Sequence, residues 1–194
     1  MSYYEKVKTF NQREDYKHDV NIAKLLLTYC ISFTHKIFII GTGLGGDLKI
    51  LNDFNDVKIV GIEPRPEFHF QVESTYKKFG GRILKMDLEQ FVKKSKKMSG
   101  VFLFVHSINH IPENQIKLFA RYLQKNSFIV IINPNPQIGK IIGKTDKTVI
   151  TYLNSKRIQK LLNCDILFDF FYNPIKIKGN EVFLREAILL KTKN

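Results

Sequence analysis

Lys36-Ile-Phe-Ile-Ile-Gly-Thr-Gly-Leu-Gly-Gly-Asp47, answered by Val57-Lys-Ile-Val-Gly-Ile-Glu63, is the stretch whose reading decides the fold. The first half opens as an apolar, β-branched run, the pattern of a strand buried on both faces. It passes without a linker into a glycine-rich turn and then into the helix-like Asp47-Leu-Lys-Ile-Leu51. The second half is another buried strand, and it ends on the carboxylate of Glu63. That order sets backbone N–H groups at a helix start beside an acid at the tip of the neighbouring strand. Glycines let the backbone approach a ligand closely, and a carboxylate can accept from both hydroxyls of a ribose. The pair therefore predicts a site for a nucleoside-containing cofactor.

Working outward, a strand–helix alternation continues. Strands are predicted at 36–40, 57–62, 82–85, 101–105 and 127–132, and helices at 47–54, 67–79, 88–97 and 114–124. Upstream, Val20, Ile22, Ala23, Leu26, Leu27 and Cys30 recur at helical spacing, so Asp15 to about Phe33 is predicted as a helix packed on a sheet. Residues 1–14 read as a polar arm, and 15–194 as a single domain. The end of the chain changes character. A short helix, Ser155 to Leu162, leads into the apolar run Ile166–Tyr172, a turn at Lys178-Gly-Asn180, and a second run from Val182 to Leu190. Two strands joined without a helix are antiparallel neighbours. The fold class that follows is α/β: a Rossmann-like, seven-stranded, mostly parallel sheet with a C-terminal antiparallel β-hairpin and helices on both faces.

Composition narrows the partners. The chain of 194 residues carries 31 basic and 18 acidic side chains, a net charge of +13, which favours an anionic partner such as RNA. Lysine outnumbers arginine about four to one, a bias that an AT-rich genome also produces. Lys93-Lys-Ser-Lys-Lys97 reads first as a solvated helix end. No run reaches the ~20 apolar residues of a membrane span, and the N-terminus lacks the apolar core of a signal peptide. Cys30 and Cys164 match no metal or redox spacing, which points to a cytoplasmic or other reducing compartment. His106 and His110 stand four apart, but Pro112 follows and no glutamate lies between them, so no metal site is expected.

The motifs resemble those of class I S-adenosylmethionine-dependent methyltransferases across residues 20–190. Gly41, Gly43 and Gly46 also satisfy the dinucleotide fingerprint, but Gly41, Gly43 and Gly45 match the methyltransferase loop. Arg82-Ile-Leu-Lys-Met-Asp87 places an acid after the third strand, where that family contacts adenine, and a simple helix cap is the other reading of Asp87. The resemblance implies S-adenosylmethionine as cofactor, with Lys24, Gly41, Gly43, Gly45, Asp47, Glu63, Met86, Asp87 and His106 around it.

Within the superfamily the chain is similar to mRNA cap guanine-N7 methyltransferases. Those proteins carry Gly-x-Gly-x-Gly-Gly-Asp-Leu, present as Gly41 to Leu48, and an upstream helix bearing asparagine and lysine, here Asn21 and Lys24. After the fourth strand they have Gln-Phe-x-x-His-Tyr, where this chain has His106-Ser-Ile-Asn-His-Ile111. A Pro-Asn element is echoed by Asn133-Pro-Asn-Pro136, and Glu-Tyr-Leu by Thr151-Tyr-Leu153. The resemblance implies methyl transfer to RNA, with a capped 5′ end leading, His110 and His106 as catalytic candidates, and Asn21, His110, Asn135 and Tyr152 on the substrate. Ile39, Leu44, Ile111 and Thr151 depart from the family pattern. Two further readings stand beside it: a small-molecule N- or O-methyltransferase, and an inactive methyltransferase-like subunit that serves a protein partner.

Overall fold

The computed structural model describes residues 14–54, 56–136, 152–177 and 180–193. Seven strands form one sheet in the order β3-β2-β1-β4-β5-β7-β6. The parallel part comprises β1 (Lys36–Ile40), β2 (Lys58–Ile62), β3 (Arg82–Leu84), β4 (Val101–Val105) and β5 (Phe128–Pro134). The antiparallel hairpin β6 (Cys164–Ile177) and β7 (Asn180–Thr192) closes the β5 edge. The expected fold class is the observed one.

The sequence dictates this arrangement in a simple way. A parallel strand is covered on both faces and must be apolar throughout. Accordingly, β4 is buried at all five positions, and β1 is buried from Ile37 to Ile40. On one face, α1 (Glu14–Ile31) and α2 (Pro66–Lys78) pack with a 3-10 turn (Gly46–Asp53) over Ile37, Ile39, Leu103 and Val130. On the other, α3 (Leu88–Lys94), α4 (Glu113–Ala120) and α5 (Ser155–Leu162) cover Phe38, Phe102, Phe104, Ile129 and Ile188. Phe38 and Phe102 stack across β1 and β4 with ring centroids 4.7 Å apart. Truncating either to alanine costs roughly 3–5 kcal/mol.

Local signals set the boundaries. Asp87 caps α3 in a reciprocal capping box with Gln90, and Asn154 caps α5 by accepting from Arg157 N at 2.8 Å. α5 ends on Asn163 in the left-handed region, at φ 52°. α3 and α4 are shorter than expected because residues 95–98 and 121–124 leave the helices to pair: Met98 N donates to Tyr122 O, and Gln124 N to Met98 O. The segment after the glycine loop is a 3-10 turn where an α-helix was expected. The hairpin also runs longer than predicted. Pro174 sits on an edge strand whose missing donor costs no ladder bond in the interior. α1 begins at Glu14, one residue inside the expected arm, and residues 1–13 lie outside the described ones. Among the described residues, no helix is long and apolar enough to cross a membrane.

Candidate cofactor and acceptor site

β1 and β4 are sheet neighbours whose onward connections leave in opposite directions, β1 toward β2 and β4 toward β5. A cleft opens at such a switch point, beyond the C-terminal strand ends. The glycine loop fills its floor. Gly41, Gly43 and Gly45 have φ of 74°, 51° and 70°, a region that L side chains adopt at a cost. A Cβ on Gly41 would fall 2.7 Å from Ser107 Cβ, and one on Gly45 would fall 2.8 Å from Val72 Cγ1. The loop therefore lies against both the turn after β4 and α2, and only glycine fits those two positions.

Glu63 braces this loop. Its carboxylate, 4% exposed, accepts from Gly43 N at 2.9 Å through Oε2 and from Arg65 N at 3.1 Å through Oε1. Gly41 N donates to Ile62 O at 2.8 Å, so β2 holds the loop through backbone and side chain together. His69 Nε2 lies 2.5 Å from the Glu63 carbonyl oxygen. Burial pushes the Glu63 carboxyl above the ordinary carboxylate range, and the hydrogen bonds from Gly43 and Arg65 resist that rise. Two buried hydroxyls beside the loop, Thr42 Oγ1 and Ser107 Oγ, have no hydrogen-bond partner. A glycine cradle, a carboxylate and orphaned hydroxyls form a donor and acceptor set suited to a ribose and a backbone-bound polar tail.

A second cluster stands at the end of β4. His106 takes φ 56°, its N–H donates to Ile132 O at 2.8 Å, and its Nε2 lies 2.7 Å from Asp19 Oδ2. Asp19, fully buried on the inner face of α1, also accepts from Tyr172 Oη at 2.6 Å and from Arg185 Nε at 3.1 Å. Burial works against the Asp19 carboxylate. The bonds and charges of His106, Arg185 and Tyr172 outweigh that penalty and hold it below its usual range. The ring is thus fixed by a buried carboxylate.

The remaining expected residues fall in different places. Asp87 spends Oδ1 on Gln90 N at 2.7 Å as the cap of α3, and Met86 packs partly buried against the core beside it. His110 closes the 3-10 turn Ile108–His110, its N–H donating to Ser107 O at 3.0 Å. Asn21 lies on the exposed side of α1, away from the face that carries Asp19, Ala23 and Leu27, while Lys24 is half-buried. Asn135 is committed to the hairpin: Nδ2 donates to Phe183 O at 2.7 Å and N to Leu184 O at 2.9 Å. Tyr152 is half-buried ahead of α5, Asp47 is the second residue of the 3-10 turn, and Thr151 lies outside the described residues. The 168–172 stretch is edge strand and only partly core, with Phe168 50% and Phe171 45% exposed. Sequence reasoning missed Asp19, Tyr172, Arg185 and Glu186, since nothing in their spacing pairs α1 with the last hairpin.

No family model and no curated protein sequence matches the chain. Solved structures do match. A SAM-dependent methyltransferase from Archaeoglobus fulgidus superposes with a TM-score of 0.69 at 18% identity, covering 98% of this chain and 100% of the other. An S-adenosylmethionine-dependent methyltransferase from Clostridium acetobutylicum gives 0.71 at 11% identity over 100% of both chains. A mitomycin 7-O-methyltransferase gives 0.66 at 12% identity, covering 97% of this chain and 58% of its own. The chain therefore has the fold of these methyltransferases.

Proposed function

We propose that this protein is an S-adenosylmethionine-dependent methyltransferase and that its acceptor is an RNA, with the guanine N7 of a capped 5′ end the leading candidate. The observation that carries the first part is the Glu63-braced glycine loop, set where the fold opens its cleft and flanked by the unpartnered hydroxyls of Thr42 and Ser107. The cofactor, when bound, supplies an electrophilic sulfonium methyl that an acceptor lone pair attacks in line, the C–S bond breaking to leave a neutral thioether. Glu63 would take the ribose hydroxyls on its remaining lone pairs, and the glycine loop would lie along the cofactor's length. Thr42 and Ser107 would hydrogen-bond its polar end. Held by these residues, the cofactor would be positioned and shielded from water, which supplies much of the acceleration available to a displacement.

The net charge of +13 and the Gly41–Leu48 and His110 correspondences support an RNA acceptor, and guanine N7 needs no base because it already offers a lone pair. A small hydroxyl or amine acceptor is the second reading, and the Asp19–His106 pair favours it. A ring oriented by a buried carboxylate is suited to take an acceptor's proton. A cytoplasmic location accords with two buried thiols, each pushed by burial up to about 12. The test is transfer of a labelled methyl group to capped RNA, uncapped RNA and a panel of amines and phenols, with His106→Ala beside the wild type. Labelling of capped RNA alone, little affected by His106→Ala, supports the first reading. Labelling of small acceptors lost in His106→Ala supports the second, and no labelling at all supports a subunit without catalysis.

A further inference from the structure

Outside the clusters already described, three buried polar side chains stand near the C-terminal end of β5, each with a polar atom that has no close hydrogen-bond partner among the described residues. Asn133 is fully buried, and neither Nδ2 nor Oδ1 has a partner. Glu186 on β7 is its direct cross-strand neighbour, and its Oε2 is likewise unpartnered. Asn109, in the turn after β4, leaves Nδ2 without a partner. One short segment ties the group together: Leu153 N donates to Asn109 Oδ1 at 3.2 Å, and Ser155 N to Glu186 Oε1 at 3.3 Å. The cluster sits at the C-terminal end of the sheet, one residue past Ile132, whose carbonyl receives the His106 N–H.

Two donors and two acceptors held together without partners are costly in a core, and a structural role would have paired them. We infer that Asn133, Glu186 and Asn109 form a reading site for the lactam edge of a nucleobase, the ring N–H beside a C=O that guanine and uracil present. Glu186 Oε2 and Asn133 Oδ1 accept ring and exocyclic N–H groups, while Asn133 Nδ2 and Asn109 Nδ2 donate to the carbonyl. Adenine and cytosine lack that edge and would leave the amides unpaired. Burial, with the Asp169 carboxylate beside it, pushes Glu186 up to about 7, so the acceptor oxygen is fully available above neutrality. The inference rests on the acceptor reading above for the site's role, though not for its binding.

The experiment is equilibrium binding of guanosine, uridine, adenosine and cytidine 5′-monophosphates at pH 8, with and without S-adenosylmethionine, to wild type, Asn133→Leu and Glu186→Gln. The expected result is a preference of about tenfold or more for guanosine and uridine over the other two, lost in both variants. Asn133→Leu should at the same time melt no lower than wild type, because it removes an amide that has no partner in the free protein. Equal binding of the four nucleotides, no binding of any, or a preference that survives in both variants overturns the inference. A large drop in melting temperature in Asn133→Leu would do the same by assigning the amide a structural role. Cofactor binding without base preference leaves the methyltransferase reading standing, and base preference without cofactor binding separates the two the other way.

Discussion

Replacing Glu63 by glutamine exchanges one carboxylate oxygen for an NH2 group and should separate binding from stability. The carboxylate accepts Gly43 N–H at 2.9 Å and Arg65 N–H at 3.1 Å. Glutamine keeps one acceptor oxygen and turns an NH2 toward the other backbone donor, so one charge-assisted bond is lost in either orientation. Such a bond contributes about 1.5–3 kcal/mol. If Gly43 is the donor left facing the amide, the loop loses its brace to β2, and the ribose loses an anionic acceptor. The expected loss of S-adenosylmethionine affinity is therefore roughly ten- to hundredfold, at about 1.4 kcal/mol per decade. Stability should respond differently. Burial raises the folded-state pKa of Glu63 above its unfolded value, so its contribution to stability is present at low pH and lost as pH rises through the raised value. Glutamine cannot titrate, so the stability of the variant should fall less than that of the wild type as pH rises. Calorimetric titration of the cofactor paired with thermal denaturation reads both quantities. Unchanged cofactor affinity beside an unchanged melting temperature would refute the role assigned to this carboxylate.

Gly41→Ala should destabilise the protein, since the left-handed backbone alone costs about 1–2 kcal/mol and the new methyl meets Ser107 Cβ at 2.7 Å. Ser107→Gly in the same chain should recover the contact part of that loss, and strictly additive melting shifts would contradict the proposed close approach. Asp19→Asn leaves Arg185 buried without its carboxylate and should cost on the order of 3–5 kcal/mol by urea denaturation. In the wild type the Asp19 contribution is present above its unfolded pKa of 3.8 and lost as pH falls toward its lowered folded value, so acid denaturation should begin earlier in the variant. Glu186 has the opposite sign. Its folded pKa of about 7 exceeds the ordinary 4.5, so stability present at low pH is lost as pH rises through 7. Glu186→Gln should flatten that decline, which is on the order of 3 kcal/mol in the wild type, and parallel pH profiles would contradict it.

The fold was legible because each layer of sequence signal agreed with the next. Parallel strands buried on both faces announce themselves as apolar runs, and Val101-Phe-Leu-Phe-Val105 allows no other reading. The Gly41–Gly45 loop and Glu63 were legible for the same reason, since backbone strain and a strand-end acid leave local marks. Asp19 left none. Its partners Tyr172 and Arg185 lie 153 and 166 residues away in sequence, and only the closing of the hairpin on β5 brings them to α1. The hairpin contact of Asn135 left no local mark either, since it is the β5–β7 register that places its amide against the Phe183 carbonyl. Asp87 sits where the family places an adenine contact, and locally the same carboxylate satisfies a helix end.

The central claim is that the Glu63-braced glycine loop holds S-adenosylmethionine, and calorimetric titration of the purified protein with that cofactor, with NAD as the control, tests it most directly. Saturable binding of S-adenosylmethionine, weakened in Glu63→Gln, is expected, with none of NAD. Binding of NAD alone, or of neither, would contradict it.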